Sequence, residues 1–259
     1  MLEYIKNNLT VLVTSCYSYK DVLQNFEFLF NKYWPDCPCD IYLNIDKDID
    51  EHAIKYDKII VSPHKQNLIR MREVVINTPY LLMIQDDHFL FDKVDNEKIY
   101  KCLKYANEYN CGNFRLMQDP KTAATFNESE DLLIYNPGAA YRISARGGLW
   151  RTDYWKMFVD KFDDLWQMEQ QGQKFSCNYP DLVLCTRDRV LPMIDAVHKG
   201  YYEDFALILL EANAIYTDRG GAPSGTRLKE TIKATIWEWN PNLIAKMQGV
   251  LHIGHKQKY

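Results

Sequence analysis

Apolar residues in the first half of the chain fall into short unbroken runs, separated by stretches with helical spacing. Residues 9–15 (LTVLVTS) are apolar and β-branched, as a buried strand requires. Residues 21–33 (DVLQNFEFLFNKY) place Val22, Phe26, Leu29 and Phe30 on one helical face, and Pro35 ends the helix. Residues 40–45 (DIYLNI) and 58–61 (KIIV) read as two further strands. A second amphipathic helix is predicted over 66–77, closed by Thr78-Pro79. Then YLLMI at 80–84 reads as a buried strand that stops abruptly at Gln85-Asp86-Asp87-His88. A helix over 97–108 and a strand over 113–117 complete this half.

This alternation predicts an α/β fold with a mostly parallel central sheet flanked by helices. Such sheets bind ligands beyond the carboxyl ends of their strands, and the acidic pair Asp86-Asp87 stands at one such end. The second half is less regular. A loop-rich stretch over 118–137 leads to a predicted strand at 139–143, then Gly147-Gly148 and an aromatic helix over 153–162. Further helices are expected up to 214, and the tail after Arg219 is punctuated by Gly and Pro. With no internal repeat or low-complexity linker, residues 1–259 are expected to form one domain with a helical, loop-rich C-terminal part.

Composition narrows the partners. A net charge of −4 without a long basic run argues against nucleic acid, which calls for a basic stripe. No apolar run reaches the roughly 20 residues that span a bilayer, and the start (MLEYIKNNLTVLVTS) lacks the layout of a cleavable signal. A cytoplasmic protein is expected, with peripheral membrane association as the variant. The 7 cysteines are scattered, and the close pair Cys37 and Cys39 has poor spacing for zinc, so reduced thiols are expected.

Three constellations carry candidate chemistry. Adjacent carboxylates at a strand end repel unless a cation or donors neutralise them, and hard divalent ions suit such a pair; a solvated turn is the plain alternative for Asp86-Asp87. Glu169, beside Trp166 in WQMEQQG, is a candidate general base if partly buried, or else an exposed helical Glu. Around Gly147-Gly148-Leu149-Trp150-Arg151 the glycines would allow close backbone approach while Trp and Arg offer stacking and phosphate contact; a Gly-rich turn before a helix fits equally. Arg70 and Arg72 precede the acidic strand as phosphate contacts or surface charges. His252 and His255 form the string HIGH, known from class I aminoacyl-tRNA synthetases after an early strand; its late position here speaks against that reading.

The order of these pieces resembles GT-A glycosyltransferases, and more narrowly inverting nucleotide-sugar-dependent transferases of bacterial and large-virus polysaccharide pathways. Four blocks carry the resemblance: LTVLVTSCYSYKDVLQNFEFLF, PYLLMIQDDHFLF, AYRISARGGLWRTDYWKMF with DDLWQMEQQG, and AVHKGYYEDFALILLEANAIY. PYLLMIQDDHFLF is similar to that fold's acidic metal motif, and WQMEQQG is similar to the Trp-x-x-Glu-x-x-Gly stretch that holds the base. The resemblance implies Asp87 as the main metal ligand, Asp86 on the metal or the ribose, and Glu169 as catalytic base. It places Ser15, Cys16, Tyr17 and Asp46 in the nucleotide pocket. Residues 1–117 would form the nucleotide-sugar-binding half, and 118–259 the acceptor half and tail. Gln85 stands where many members carry an acidic residue.

The implied cofactors are a divalent metal, Mn2+ or Mg2+, and a nucleotide-sugar donor, UDP-linked first and dTDP- or GDP-linked next. The implied reaction is hexosyl or deoxyhexosyl transfer to a glycan, glycolipid or glycoprotein hydroxyl, and Trp150 to Trp155 are expected as a stacking surface for that acceptor. His252 or His255 would be an extra metal ligand. Two other functions stay open: a sugar nucleotidyltransferase, disfavoured because SCYSYKD after the first strand has no Gly, and a catalytically silent nucleotide-sugar-binding protein.

Overall fold

The computed structural model describes residues 1–221. The chain opens with α1 (Leu2–Asn8) and β1 (Leu9–Thr14), makes a short 3-10 turn (Tyr17–Tyr19), and continues through α2 (Lys20–Tyr33), β2 (Asp40–Ile45) and β3 (Lys58–Val61). Next come α3 (Asn67–Met71), β4 (Tyr80–Gln85), β5 (His88–Leu90), α4 (Asn96–Glu108), β6 (Asn113–Arg115), β7 (Ala124–Thr125) and β8 (Leu132–Ile134). The remainder is β9 (Gly148–Arg151), α5 (Thr152–Lys161), α6 (Leu165–Ser176), β10 (Val183–Thr186), β11 (Met193–Asp195), β12 (Val197–His198), β13 (Tyr201–Tyr202) and α7 (Asp204–Ala212).

One 9-stranded sheet, ordered β3-β2-β1-β4-β9-β6-β10-β8-β7, forms the centre. Its first four strands are parallel neighbours, with Val11 opposite Ile41 on one side and Leu82 on the other. β9 enters antiparallel between β4 and β6, and β8 is the other reversed strand. Side chains of β1 alternate across the sheet, as the two-residue period of a strand demands. Val11 and Val13 join α2 and α4 in one buried core with Phe26, Leu29 and Leu103, while Leu12 joins Leu81, Met83, Trp155 and Phe158 in the other. Helices therefore cover both faces, which is why β1 is buried along its whole length.

The expected strands at 40–45 and 58–61 are β2 and β3. Other expectations need correction. The helix predicted over 66–77 ends at Met71, before the β-branched run Val74-Val75-Ile76, whose stiff side chains disfavour helix. The strand predicted at 139–143 is a series of turns, with Tyr141 at φ 53. It is pinned instead by Arg142, which donates to the carbonyls of Tyr135 (3.0 Å) and Asp181 (2.7 Å). The stretch 118–137 contributes two short strands, β7 and β8. The string at 147–151 is no turn before a helix: Gly148–Arg151 is the interior strand β9. All seven cysteines are free thiols, and no described helix is long and apolar enough to cross a membrane.

Candidate active site

The carboxyl ends of β1, β2 and β4 lie side by side, and their parallel registers bring Thr14, Asn44 and Gln85 level. The first residue beyond each strand, or the next, carries a polar group into one small region. Ser15 Oγ donates to Asp86 Oδ2 at 2.6 Å. Asp46 Oδ1 accepts from the backbone N–H of Tyr17 at 2.6 Å and of Lys47 at 3.0 Å, fastening the end of β2 to the turn after β1. Lys47 Nζ lies 4.2 Å from the centre of the Tyr17 ring, a cation–π contact between the same two segments. Cys16 Sγ sits 3.1 Å from Ser18 Oγ, and burial pushes its thiol pKa up, so it is a weakly acidic lining group.

Asp86 is buried and Asp87 half-buried. Burial raises both carboxyls well above the ordinary aspartate range, and for Asp87 the neighbouring Asp86 and Asp195 add repulsion. Asp87 Oδ1 is enclosed by protein yet has no hydrogen-bond partner. The nearest cationic candidate, His88 Nε2, stands 3.9 Å away, too far for a hydrogen bond. An enclosed, unpartnered carboxylate oxygen beside a second carboxylate is an all-oxygen donor set of the type Mg2+ and Mn2+ favour, and a cation there would offset both the repulsion and the missing bond. Among the described residues no group of three His, Cys, Asp or Glu converges to cage a metal. Such a pair suits an ion that completes its shell with water and phosphate oxygens. His252 and His255 lie outside the described residues.

Arg70 is no surface charge. It is buried, and its guanidinium donates to the carbonyls of Ser15 (2.8 Å), His64 (2.9 Å) and Lys65 (2.8 Å). Its charge favours the ionised form of Asp86, so it acts from behind the strand end. Arg72 turns away, to the carbonyls of Val159 and Phe162 and the carboxylate of Asp163.

Glu169 projects from the first half of α6, whose N-terminus is capped by Asp164 accepting from Gln167 N–H at 2.7 Å. Both hydrogen bonds to the Glu169 carboxylate fall on Oε1, from Ser144 Oγ (2.9 Å) and Ala145 N–H (2.8 Å). Burial raises its pKa, partly offset by those bonds and by Arg115. Glu169 lines a cleft of about 260 Å3 with Lys65, Gln66, Asn67, Gln85, Ala145, Asp164, Leu165 and Trp166. Gln85 thus connects the two parts: it ends β4 directly before the acidic pair and forms part of the wall around Glu169. A larger groove of about 690 Å3 opens at the amino end of β4, among Val74, Val75, Ile76, Pro79 and Trp155; Arg72 and Arg151 line it, but none of Ser15, Cys16, Tyr17, Asp46, Asp86, Asp87 and Glu169 does.

The aromatic cluster at 150–155 does not form a stacking surface. Trp150, Tyr154 and Trp155 are buried, and Trp150 packs on the Tyr154 ring (6.2 Å between centroids) and edge-on to Phe158 (5.5 Å). Their spacing on strand and helix serves the core. The exposed aromatic beside Glu169 is Trp166, at 41%.

Sequence reading missed a second layer of charge. β11 pairs antiparallel with β5 and sets Asp195 opposite His88. Asp195 Oδ1 stands 3.6 Å from His88 Nε2 and 3.0 Å from Arg146 Nε. Arg146 also pairs with Asp119, and buried Arg115 donates to the Tyr141 carbonyl at 2.9 Å while stacking 4.6 Å from the centre of the Tyr135 ring. These residues come from four separate loops and strand ends, and no local motif announces them.

No protein-family model and no curated protein matches the chain. Among solved structures it is similar to the mannosyltransferase PcManGT from Pyrobaculum calidifontis, in complex with GDP-Man and Mn2+: 11% identity, TM-score 0.48, covering 95% of this chain and 71% of that one. It is also similar to S. aureus TarS 1-349, at 11% identity and TM-score 0.39 over 72% of this chain and 59% of that one. The same TarS fragment in complex with UDP-GlcNAc matches at 10% identity and TM-score 0.39, over 80% and 65%. The chain thus spans less than two thirds of the length of either TarS structure. These are likenesses of chain path at low identity.

Proposed function

We propose that this chain is a glycosyltransferase that moves a sugar from a nucleotide-sugar donor to a hydroxyl of a glycan, glycolipid or glycoprotein. The observation that carries the reading is the adjacency of two carboxyl environments. Asp86-Asp87 follow the end of β4, Asp87 with an unpartnered enclosed oxygen, and Glu169 stands in the cleft walled by the preceding residue, Gln85.

The nucleotide would lie over the ends of β1 and β2, against Cys16, Tyr17 and Asp46, where the resemblance puts it and where open sheets bind ligands. Ser15 holds Asp86 through its hydroxyl, and Arg70 on α3 holds the Ser15 carbonyl, so Asp86 is positioned by buried groups from the end of β1 and from α3. Asp87 and Asp86 would hold a divalent ion, which would supply charge to stabilise the departing diphosphate. Glu169 has one carboxylate oxygen fixed by Ser144 and Ala145, leaving Oε2 to take the acceptor's proton. Its raised proton affinity suits a group that must take a proton from a hydroxyl. As that O–H bond breaks, the acceptor oxygen forms a bond to the anomeric carbon. The bond from that carbon to the diphosphate breaks on the opposite face, which inverts the configuration.

Calorimetric titration with UDP, GDP and dTDP, each with and without Mn2+, tests the reading. Metal-dependent binding of one nucleotide is expected, UDP first. No binding of any of the three would overturn it.

A further inference from the structure

The chain beyond α7 runs back along α2. Lys32, near the end of α2, donates to Asn213 Oδ1, and Arg219 lies against Asp21 in the first turn of the same helix. The Arg219 guanidinium forms a two-bond fork, Nε to Asp21 Oδ2 at 2.8 Å and Nη2 to Asp21 Oδ1 at 2.7 Å. Its Nη1 donates to the Gly200 carbonyl at 2.9 Å. Its flat face lies 4.7 Å from the centre of the Tyr19 ring. A guanidinium combines a fork for a carboxylate, a further N–H for a carbonyl and a plane for an aromatic ring. An ammonium would keep the charge but neither the fork nor the plane.

The segments that meet on Arg219 lead to the acidic pair. Tyr19 ends the turn after β1, whose Tyr17 N–H is held by Asp46. Burial raises the Tyr19 pKa, Arg219 opposes the rise, and the charges of Asp87 and Asp86 add to it, so the phenol stands within their reach. Gly200 (φ 85) and Lys199 (φ 51) make the two-residue turn between β12 and β13. At the base of that hairpin the Ala196 N–H donates to the Asp87 carbonyl at 2.7 Å, and on β13 the Tyr202 N–H donates to the Gly220 carbonyl at 3.2 Å. Arg219 is thus braced from the end of β4 while it bears on Tyr19.

We propose that Arg219 is a positioning residue for nucleotide binding: it fixes the Tyr19 ring as a wall of the donor pocket, so that the chain beyond α7 helps to set donor affinity. This rests on the reading of the site as a nucleotide-sugar pocket.

Calorimetry on the full chain tests it, with UDP, GDP and dTDP, each with Mn2+, on the wild type, Arg219→Lys, Tyr19→Ala and the double variant. For a nucleotide that binds the wild type, Arg219→Lys and Tyr19→Ala are each expected to weaken binding about three- to tenfold. The double variant should be weaker than Tyr19→Ala by no more than about twofold, because a residue that acts through Tyr19 then has nothing left to position. Should Arg219→Lys fail to fold, Asp21→Asn, which loosens the same fork from the carboxylate side, takes its place in the cycle. A staple that serves structure alone would lower the melting temperature of Arg219→Lys and leave the Kd of the folded protein unchanged, and that result would overturn the proposal. Losses that multiply in the double variant would overturn it too, since Arg219 would then act without Tyr19. A wild type that binds no nucleotide defeats the transferase reading and this proposal together, whereas binding indifferent to Arg219 defeats this proposal alone.

Discussion

Ser15 Oγ donates to Asp86 Oδ2 at 2.6 Å, a bond between the residues just beyond two adjacent parallel strands, β1 and β4. It is charge-assisted whenever Asp86 is ionised, and it favours that ionised form. Ser15→Ala removes the donor with little change in volume. The expected outcome is nucleotide binding in the presence of Mn2+ weakened about tenfold, since hydrogen bonds to charged groups contribute about 1.5–3 kcal/mol. Calorimetry on the variant checks it, and an unchanged Kd would separate Ser15 from the site.

Glu169→Gln keeps the shape and the Ser144 and Ala145 partners while removing the base. Turnover should fall by about 10²–10⁴-fold with nucleotide affinity nearly unchanged. The pH profile of kcat gives a second reading. Burial raises the Glu169 pKa, and the base works only when deprotonated. Activity should therefore fall on the acid side through a pKa above the ordinary glutamate value, and Glu169→Gln should abolish that limb.

A different titration governs stability. Glu27 on α2 is fully buried, and its carboxylate accepts from Ala53 N–H (2.7 Å) and Tyr56 Oη (3.0 Å). His52 Nδ1 stands 2.6 Å from Glu27 Oε1, and its Nε2 stands 3.0 Å from Asp48 Oδ1. Only the imidazolium can donate to both carboxylates at once, since the neutral ring has a single N–H. Desolvation opposes that charge, but the bonds to Glu27 and Asp48 outweigh it and the His52 pKa is raised. A raised folded-state pKa means the contribution is complete below the unfolded value of about 6.5 and is lost as pH rises through the folded value. Urea midpoints of the wild type and His52→Ala should differ most below pH 6.5 and converge on the alkaline side. A pH-independent difference would refute this clamp.

Gly147 has φ +34, and a Cβ there would run into Met193 Cε, with Leu191 Cδ2 at 3.3 Å. Gly147→Ala should destabilise by about 1–3 kcal/mol, the usual cost of overpacking. Met193 begins β11, so the same change should disturb Asp195 and its approach to Arg146. Thermal melting measures the first effect, and a histidine NMR shift at His88, opposite Asp195, reports the second.

The parts legible in the sequence were those written in consecutive residues. β1, β2 and β3 are strands whose β-branched runs state their own period, and α4 follows an Asp95 side chain that accepts from Glu97 N–H at 2.8 Å. The string QDDH marked the end of β4 because a buried apolar run met charge there. Illegible were features decided by distant partners. β9 is a strand because β4 and β6 offer their edges to Gly148-Leu149-Trp150-Arg151, which by itself reads as a turn. Trp150 and Trp166 are indistinguishable as residue types, and only the fold buries one and exposes the other. Asp195 reaches the acidic region through the pairing of β11 with β5, across about a hundred residues of chain.

The placement of β9 also sets an order of events during synthesis. β4 and β6 are complete once residue 115 has left the ribosome, yet the strand that belongs between them ends at Arg151. Until then both edges present unpaired N–H and C=O groups to whatever is nearby. The nascent first half is therefore a four-stranded sheet, β3-β2-β1-β4, with an open edge at β4, while β6 has no partner until β9 and β10 follow. An open edge of this kind is a template for pairing with another copy until the chain's own later residues arrive.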